Sequence, residues 1–274
     1  MMKDILVVLD ANSRESFATY AVSVARLFGA HLTATGLSLD FVPPPSFVGE
    51  YPYQFAQSAA EETTKAVHAV YDKFQGAAQL AGLMTELHMV EGLPGRARQE
   101  FGRLTRTFDM IVIEQPSRDG ESGDELLVEA ALFQSGRPVL IVPYIQEDDI
   151  KLDHVLVGWD GGLPAARAVG DAMPLLRKAG KVDVVTIVSK RVDEKEMPGF
   201  DIARHLARHG VNAEVKRLPS GEEPAATLLS YAADAATDLM VMGGYGHSRL
   251  REFVLGGTTR NMLASMTVPV LMSH

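Results

Sequence analysis

The strongest constraint on the fold is that the chain repeats itself. Ile5-Leu6-Val7-Val8-Leu9-Asp10 matches Val155-Leu156-Val157-Gly158-Trp159-Asp160, each an apolar run that ends in aspartate and precedes a helical pattern. Phe108-Asp109-Met110-Ile111-Val112-Ile113 matches Thr237-Asp238-Leu239-Met240-Val241-Met242, and Arg137-Pro138-Val139-Leu140-Ile141-Val142 matches Val268-Pro269-Val270-Leu271-Met272. The offsets are 150, 129 and 131 residues, so the halves share a layout and the first carries about 20 extra residues in its early part. Those residues are assigned to Phe41–Tyr53, where four prolines in thirteen positions oppose regular structure and leave a long aromatic loop.

Within each half, short apolar or β-branched runs alternate with helical stretches. Strands are expected at Lys3–Asp10, His31–Leu39, Met84–Val90, Asp109–Glu114 and Pro138–Pro143, then at His154–Asp160, Lys181–Lys190, Asn212–Leu218, Leu239–Gly243 and Pro269–Ser273. In the second half, helices fall at Leu163–Ala179, Pro198–His209, Glu222–Thr237 and Gly257–Ser265. Runs such as Leu239-Met240-Val241-Met242 are apolar on consecutive positions, the pattern of strands covered on both faces. The fold class is therefore α/β, as two tandem, doubly wound, five-stranded parallel-sheet domains of Rossmann-like type. A chain of 274 residues is long enough for two cores. The short acidic connection Tyr144–Lys151 divides it into residues 1–146 and 147–274.

One segment carries chemistry. Gly243, Gly246 and Gly256 form G-x2-G-x9-G directly after the fourth strand of the second half. In a chain with 24 glycines the spacing alone is weak, so its position carries the argument. Met242 and Gly243 end a buried strand at the carboxyl edge of a parallel sheet, where ligands of open α/β folds bind. Gly256 and Gly257 precede a helix whose free N–H groups attract anions, and Thr258 and Thr259 add hydroxyls in its first turn. His247 and Arg249 supply protonatable or positive groups nearby.

With the doubled layout and the aspartates of the first strands, this segment resembles the universal stress protein family in its tandem two-domain form. The likeness spans essentially the whole chain and is most specific over Met242–Asn261. It implies a domain that, in one subclass, binds ATP with its phosphates on the glycine loop. That subclass has Ser or Thr after the third glycine; here Gly257 stands there, which removes one phosphate-facing hydroxyl and leaves the backbone cradle. The same likeness puts Asp160 beside the ribose and base, with Gly161 and Val188 near the base. Capping of the following helix is a second role open to Asp160, and the favoured one for Asp10.

The first half has no such cradle. Gly120 and Gly123 keep the first spacing, but the third position falls on Phe133, and Glu114, Asp119, Glu121, Asp124 and Glu125 occupy the place of the phosphates. Charge follows the same division: residues 1–150 carry 11 basic and 21 acidic side chains, and residues 151–274 carry 15 and 14. A net charge of −9 argues against nucleic acid as a partner. No apolar run is long enough to span a membrane, and the absence of cysteine suits a reducing cytoplasm while excluding thiolate metal sites. His205 and His209 share a helix face without a third metal ligand, so no metal site is expected.

The reading that results is a cytoplasmic, nucleotide-responsive binding module holding ATP or AMP, which Mg2+ can accompany, in its second half. Its partners would be the nucleotide and a second copy, as a homodimer, or the other half, as an intramolecular pseudo-dimer joined along the last strands. With no Walker lysine and no nucleophile–base pair, no catalytic residue is assigned. A slow ATPase or nucleotidyl-transfer enzyme and a scaffold that is ligand-free or binds an apolar metabolite are the alternatives.

Overall fold

The computed structural model describes residues 2–39, 53–116, 123–188, 200–219, 223–245 and 257–274. Strands and helices alternate through both halves: β1 (Asp4–Leu9), α1 (Glu15–Phe28), β2 (His31–Leu39), α2 (Tyr53–Leu80), β3 (Thr85–Gly92), α3 (Pro94–Thr105), β4 (Met110–Glu114), α4 (Gly123–Gln134) and β5 (Val139–Val142), followed by β6 (His154–Gly158), α5 (Leu163–Leu176), β7 (Lys181–Val188), α6 (Phe200–Arg208), β8 (Ala213–Pro219), α7 (Pro224–Asp234), β9 (Leu239–Gly243), α8 (Gly257–Ser265) and β10 (Val270–Ser273).

All ten described strands form one sheet, in the order β3-β2-β1-β4-β5-β10-β9-β6-β7-β8. Every pairing within a half is parallel. The one antiparallel pairing joins β5 to β10, with Val270 opposite Ile141, Leu271 opposite Leu140 and Met272 opposite Val139. Because Leu140 and Leu271 are equivalent positions of the repeat, the order is a palindrome whose pseudo-twofold axis runs through that leucine pair. The last-strand edges that could have joined two copies are consumed inside the chain. The unpaired edges among the described strands are β3 and β8, and both carry charged side chains that discourage further pairing.

Alternation along the strands sends side chains to two apolar layers. Leu140, Val142 and Leu271 pack with buried residues of α1, α2, α5 and α6 on one face, and Val139, Ile141, Val270 and Met272 with those of α3, α4, α7 and α8 on the other. Each layer runs unbroken across the seam. Central strands such as β5, β9 and β10 are buried on consecutive residues, whereas the edge strand β3 alternates.

Two expectations change. The longer first half is explained by α2, which has 28 residues against 9 in its counterpart α6, while residues 40–52 lie outside the described residues and Tyr53 begins α2. Val67, Tyr71, Phe74 and Ala78 recur at helical spacing along α2 and are buried, and that periodicity was the available signal. The other change concerns the aspartates after β1 and β6, neither of which caps a helix. The N-cap residues of α1 and α5 are Arg14 and Gly162, both without a side-chain capping bond.

Candidate functional site

Gly243 ends β9 where helix α5 begins. A Cβ on it would lie 2.5 Å from the Ala165 nitrogen and 2.7 Å from the Pro164 carbonyl carbon, so α5 approaches the strand more closely than any side chain permits. The glycine at this strand end thus has a packing reason. Beyond it, the Gly244 N–H donates to the Ser273 carbonyl at 2.9 Å, and the Tyr245 N–H donates to Thr259 Oγ1 at 3.2 Å. Thr259 is buried in the first turn of α8, so this bond ties that helix to the end of β9 while leaving the hydroxyl proton available. Gly257 is the first residue of α8, followed by half-buried Thr258. The remaining loop positions, Gly246, His247, Arg249 and Gly256, lie outside the described residues.

The neighbouring strand end supplies Asp160 and Gly161. Strand β6 stops at Gly158, and the exposed Asp160 accepts the Gly162 N–H on Oδ1 at 2.8 Å. This closes a turn ahead of α5, with Gly161 at φ +76°, which corrects the helix-cap role. Val188 is the half-buried last residue of β7. Asp160, Gly161, Val188, Met242, Gly243 and Gly257–Thr259 therefore share the carboxyl edge of the second half and the amino end of α8.

The first half repeats this edge with different chemistry. Asp10 accepts the Asn12 N–H at 2.6 Å and donates its own N–H to Ser13 Oγ at 2.9 Å, again a turn and not the favoured helix cap. Glu114 stands where the second half has Gly243, and it pairs with Arg14, the counterpart of Pro164. Arg14 Nε lies 2.5 Å from Glu114 Oε1, and the Arg14 backbone N–H donates to Oε2 at 3.3 Å. Burial pushes the Glu114 carboxyl above the usual carboxylate range, more than the Arg14 bonds pull it down, and Asp10 adds to the rise. An ion pair occupies the strand end that in the other half is a glycine packed against α5. Glu114 was legible as one of five carboxylates, but its partner, 100 residues away, was not.

A polar cluster at the amino edge of the second half escaped sequence reading. Asp183, 1% exposed inside β7, bonds through Oδ2 to His154 Nε2 at 2.8 Å and Tyr231 Oη at 2.7 Å, and forms an ion pair through Oδ1 with Lys181 Nζ at 3.2 Å. His154 Nδ1 faces the Ala235 carbonyl at 2.8 Å, so its ring meets acceptors on both sides. Burial alone would raise the Asp183 pKa, but the bonds from Tyr231, Lys181 and His154 outweigh it and hold the carboxyl below its ordinary value. Burial and the bond to Asp183 raise the Tyr231 hydroxyl. The cluster joins β6, β7 and α7 and lies at the opposite edge from Asp160 and Gly243.

Comparison with known proteins bears on the same half. Residues 151–274 match the model of the universal stress protein family. A universal stress protein of Synechocystis is 35% identical over 169 residues, which is 60% of this chain; the chain spans 57% of that relative's length. Among solved structures, a universal stress protein from Archaeoglobus fulgidus aligns over 98% of this chain and 95% of its own, with a TM-score of 0.71 at 18% identity. A functionally unknown protein from Pseudomonas aeruginosa aligns over 98% of this chain and 92% of its own, with a TM-score of 0.61 at 12% identity. At such identities the two structures speak for the fold.

Proposed function

We propose, from the match of residues 151–274 to the universal stress protein family, that the second half of the chain binds an adenine nucleotide, ATP or AMP, and acts as a nucleotide-responsive binding module. In this reading residues 1–146 form a degenerate domain and residues 147–274 the binding domain. Asp160 accepts hydrogen bonds from the ribose hydroxyls or the adenine amino group, beside Gly161 and Val188. The phosphates lie on the loop from Gly243 through Gly246, His247, Arg249 and Gly256 to Gly257. The residues present fit such a ligand, because the first N–H groups of α8 have no carbonyl partner within the helix and the Thr258 and Thr259 hydroxyls add donors beside them.

The observation that carries this reading is the difference between two equivalent strand ends. Gly243 puts no carboxylate at the end of β9, whereas Glu114 places one at the end of β4, the equivalent point of the other half, and is paired with Arg14. An ion pair that occupies the strand end in place of glycine disfavours at the first edge the ligand proposed for the second.

The reading is tested by calorimetric titration of ATP, with and without Mg2+, into the wild-type chain and into Gly246→Asp and Gly256→Asp. The wild type is expected to bind one nucleotide per chain, and each aspartate to weaken binding by at least about tenfold, since a charge facing the phosphates costs of order 1.4 kcal/mol or more. Equal, undetectable heats for all three would sink the assignment. The single tryptophan, Trp159, directly precedes Asp160 and gives an independent optical readout. Restoring the missing hydroxyl is the complementary test. Gly257→Ser is expected to tighten ATP by about tenfold, in line with one hydrogen bond to a charged group, and to leave adenosine affinity unchanged.

A further inference from the structure

Phe133 stands on the last turn of α4 in the first half, yet its ring lies against the second. Its centroid is 4.5 Å from that of Tyr245 and 4.6 Å from that of His274, in tilted and edge-on contacts that aromatic rings favour. Tyr245 directly follows Gly243-Gly244 and has φ +59°, a conformation that side chains other than glycine adopt at a cost. It persists because its surroundings hold it. The Tyr245 N–H is bonded to Thr259, Gly244 is bonded through its N–H to Ser273 and through its carbonyl to His274 Nδ1 at 3.2 Å, and Phe133 covers the ring.

The repeat supplies an internal comparison. At the matching corner of the first half, Gly244 is replaced by Gln115, Tyr245 by Pro116 and His274 by Pro143. Gln115 Nε2 donates to the Leu263 carbonyl of α8 at 2.7 Å, and its Oε1 accepts the Tyr144 N–H at 3.1 Å. One corner of the seam is a buried amide and the other an aromatic cluster. The aromatic corner is the one that touches the segment entering the glycine loop.

We propose that Phe133 is a positioning residue for the nucleotide site of the second half: it fixes Tyr245 in its left-handed conformation and so holds the Tyr245–Thr259 bond that ties the end of β9 to the amino end of α8. The proposal rests on the nucleotide reading, and it gives the degenerate half a direct part in binding. Phe133 is 43% exposed, so its ring can be removed without opening a core cavity.

The experiment uses the whole chain as wild type, Phe133→Ala and Phe133→Tyr, with two measurements. In nucleotide-free protein, amide hydrogen exchange at Gly244 and Tyr245 is expected to quicken by about tenfold in Phe133→Ala and to stay at the wild-type rate in Phe133→Tyr. In calorimetry, Phe133→Ala is expected to weaken ATP by about tenfold and adenosine by less than about twofold, because only ATP brings phosphates to the amino end of α8, and Phe133→Tyr is expected to restore ATP affinity. Wild-type ATP affinity in Phe133→Ala, equal weakening of ATP and adenosine, or unchanged exchange would each overturn the proposal. A wild type that binds neither ligand refutes the nucleotide reading instead, and the exchange rates then decide separately whether Phe133 holds Tyr245.

Discussion

Gly243→Ala is expected to destabilise the folded chain by about 2–3 kcal/mol, because its Cβ meets backbone and not the yielding end of a side chain. The nitrogen of Ala165 and the carbonyl carbon of Pro164 belong to the first turn of α5, so relief requires the helix to move away from β9. That movement also displaces the turn formed by Asp160 and Gly161, and nucleotide affinity should fall together with stability. Urea denaturation followed by circular dichroism measures the first effect and ATP calorimetry the second. Gly257→Ala is the control, since a Cβ there meets nothing within 4 Å among the described residues; its stability should stay within about 0.5 kcal/mol of wild type. Similar stability for the two variants would mean that α5 does not press on Gly243 as the structure describes.

Asp183→Asn should lower stability by about 3 kcal/mol at pH 7, comparable to breaking a buried charge pair by removing one partner. Asparagine still accepts the Tyr231 hydroxyl, but Lys181 loses its counter-charge and His154 its carboxylate partner next to a strand interior. The sign of the pH dependence follows from the lowered carboxyl pKa of Asp183. Such a group contributes stability that is fully present above its unfolded value and is lost as the pH falls through the folded one. The gap between wild type and Asp183→Asn should therefore hold at neutral pH and narrow below the ordinary aspartate value of about 3.9. Denaturation midpoints at several pH values between 3 and 7 check this. A gap that grows toward acid would contradict an ionised Asp183.

How much of this was legible depended on the range of the interaction. Ile5–Leu9 and Leu239–Met242 identified themselves as strands because burial on both faces leaves an unbroken apolar run, and β9 and α8 fall at their expected residues. The α/β class and the parallel order within each half followed from the same local patterns. The extra length of α2 was misplaced because prolines before it signal more loudly than the seven-residue recurrence of Val67, Phe74 and their neighbours within it. Capping was a second role read for Asp160 because aspartate before a helix usually caps it; here two glycines intervene and the side chain closes a turn instead.

Long-range contacts left no trace in the sequence. Nothing local links Arg14 to Glu114 or Phe133 to Tyr245, and both pairings arise only when the sheet sets distant residues side by side. The clearest case is Phe133, where the first half fails to supply a third glycine. That position lies in helix α4, facing the seam, so the motif's absence and the aromatic corner have one structural origin.

The seam between β5 and β10 has one more consequence. Because those strands run in opposite directions, the carboxyl ends of β1, β2 and β4 point one way and those of β6, β7 and β9 the other. Duplication without divergence would have made a molecule with two like ends and two equivalent ligand sites. Here an Arg14–Glu114 ion pair stands at one strand end and a glycine packed against α5 at the other, so the two ends differ. Under the nucleotide reading, its binding curve should saturate at one equivalent with a Hill coefficient of about 1. Anything that senses the occupied state must then approach from a single direction.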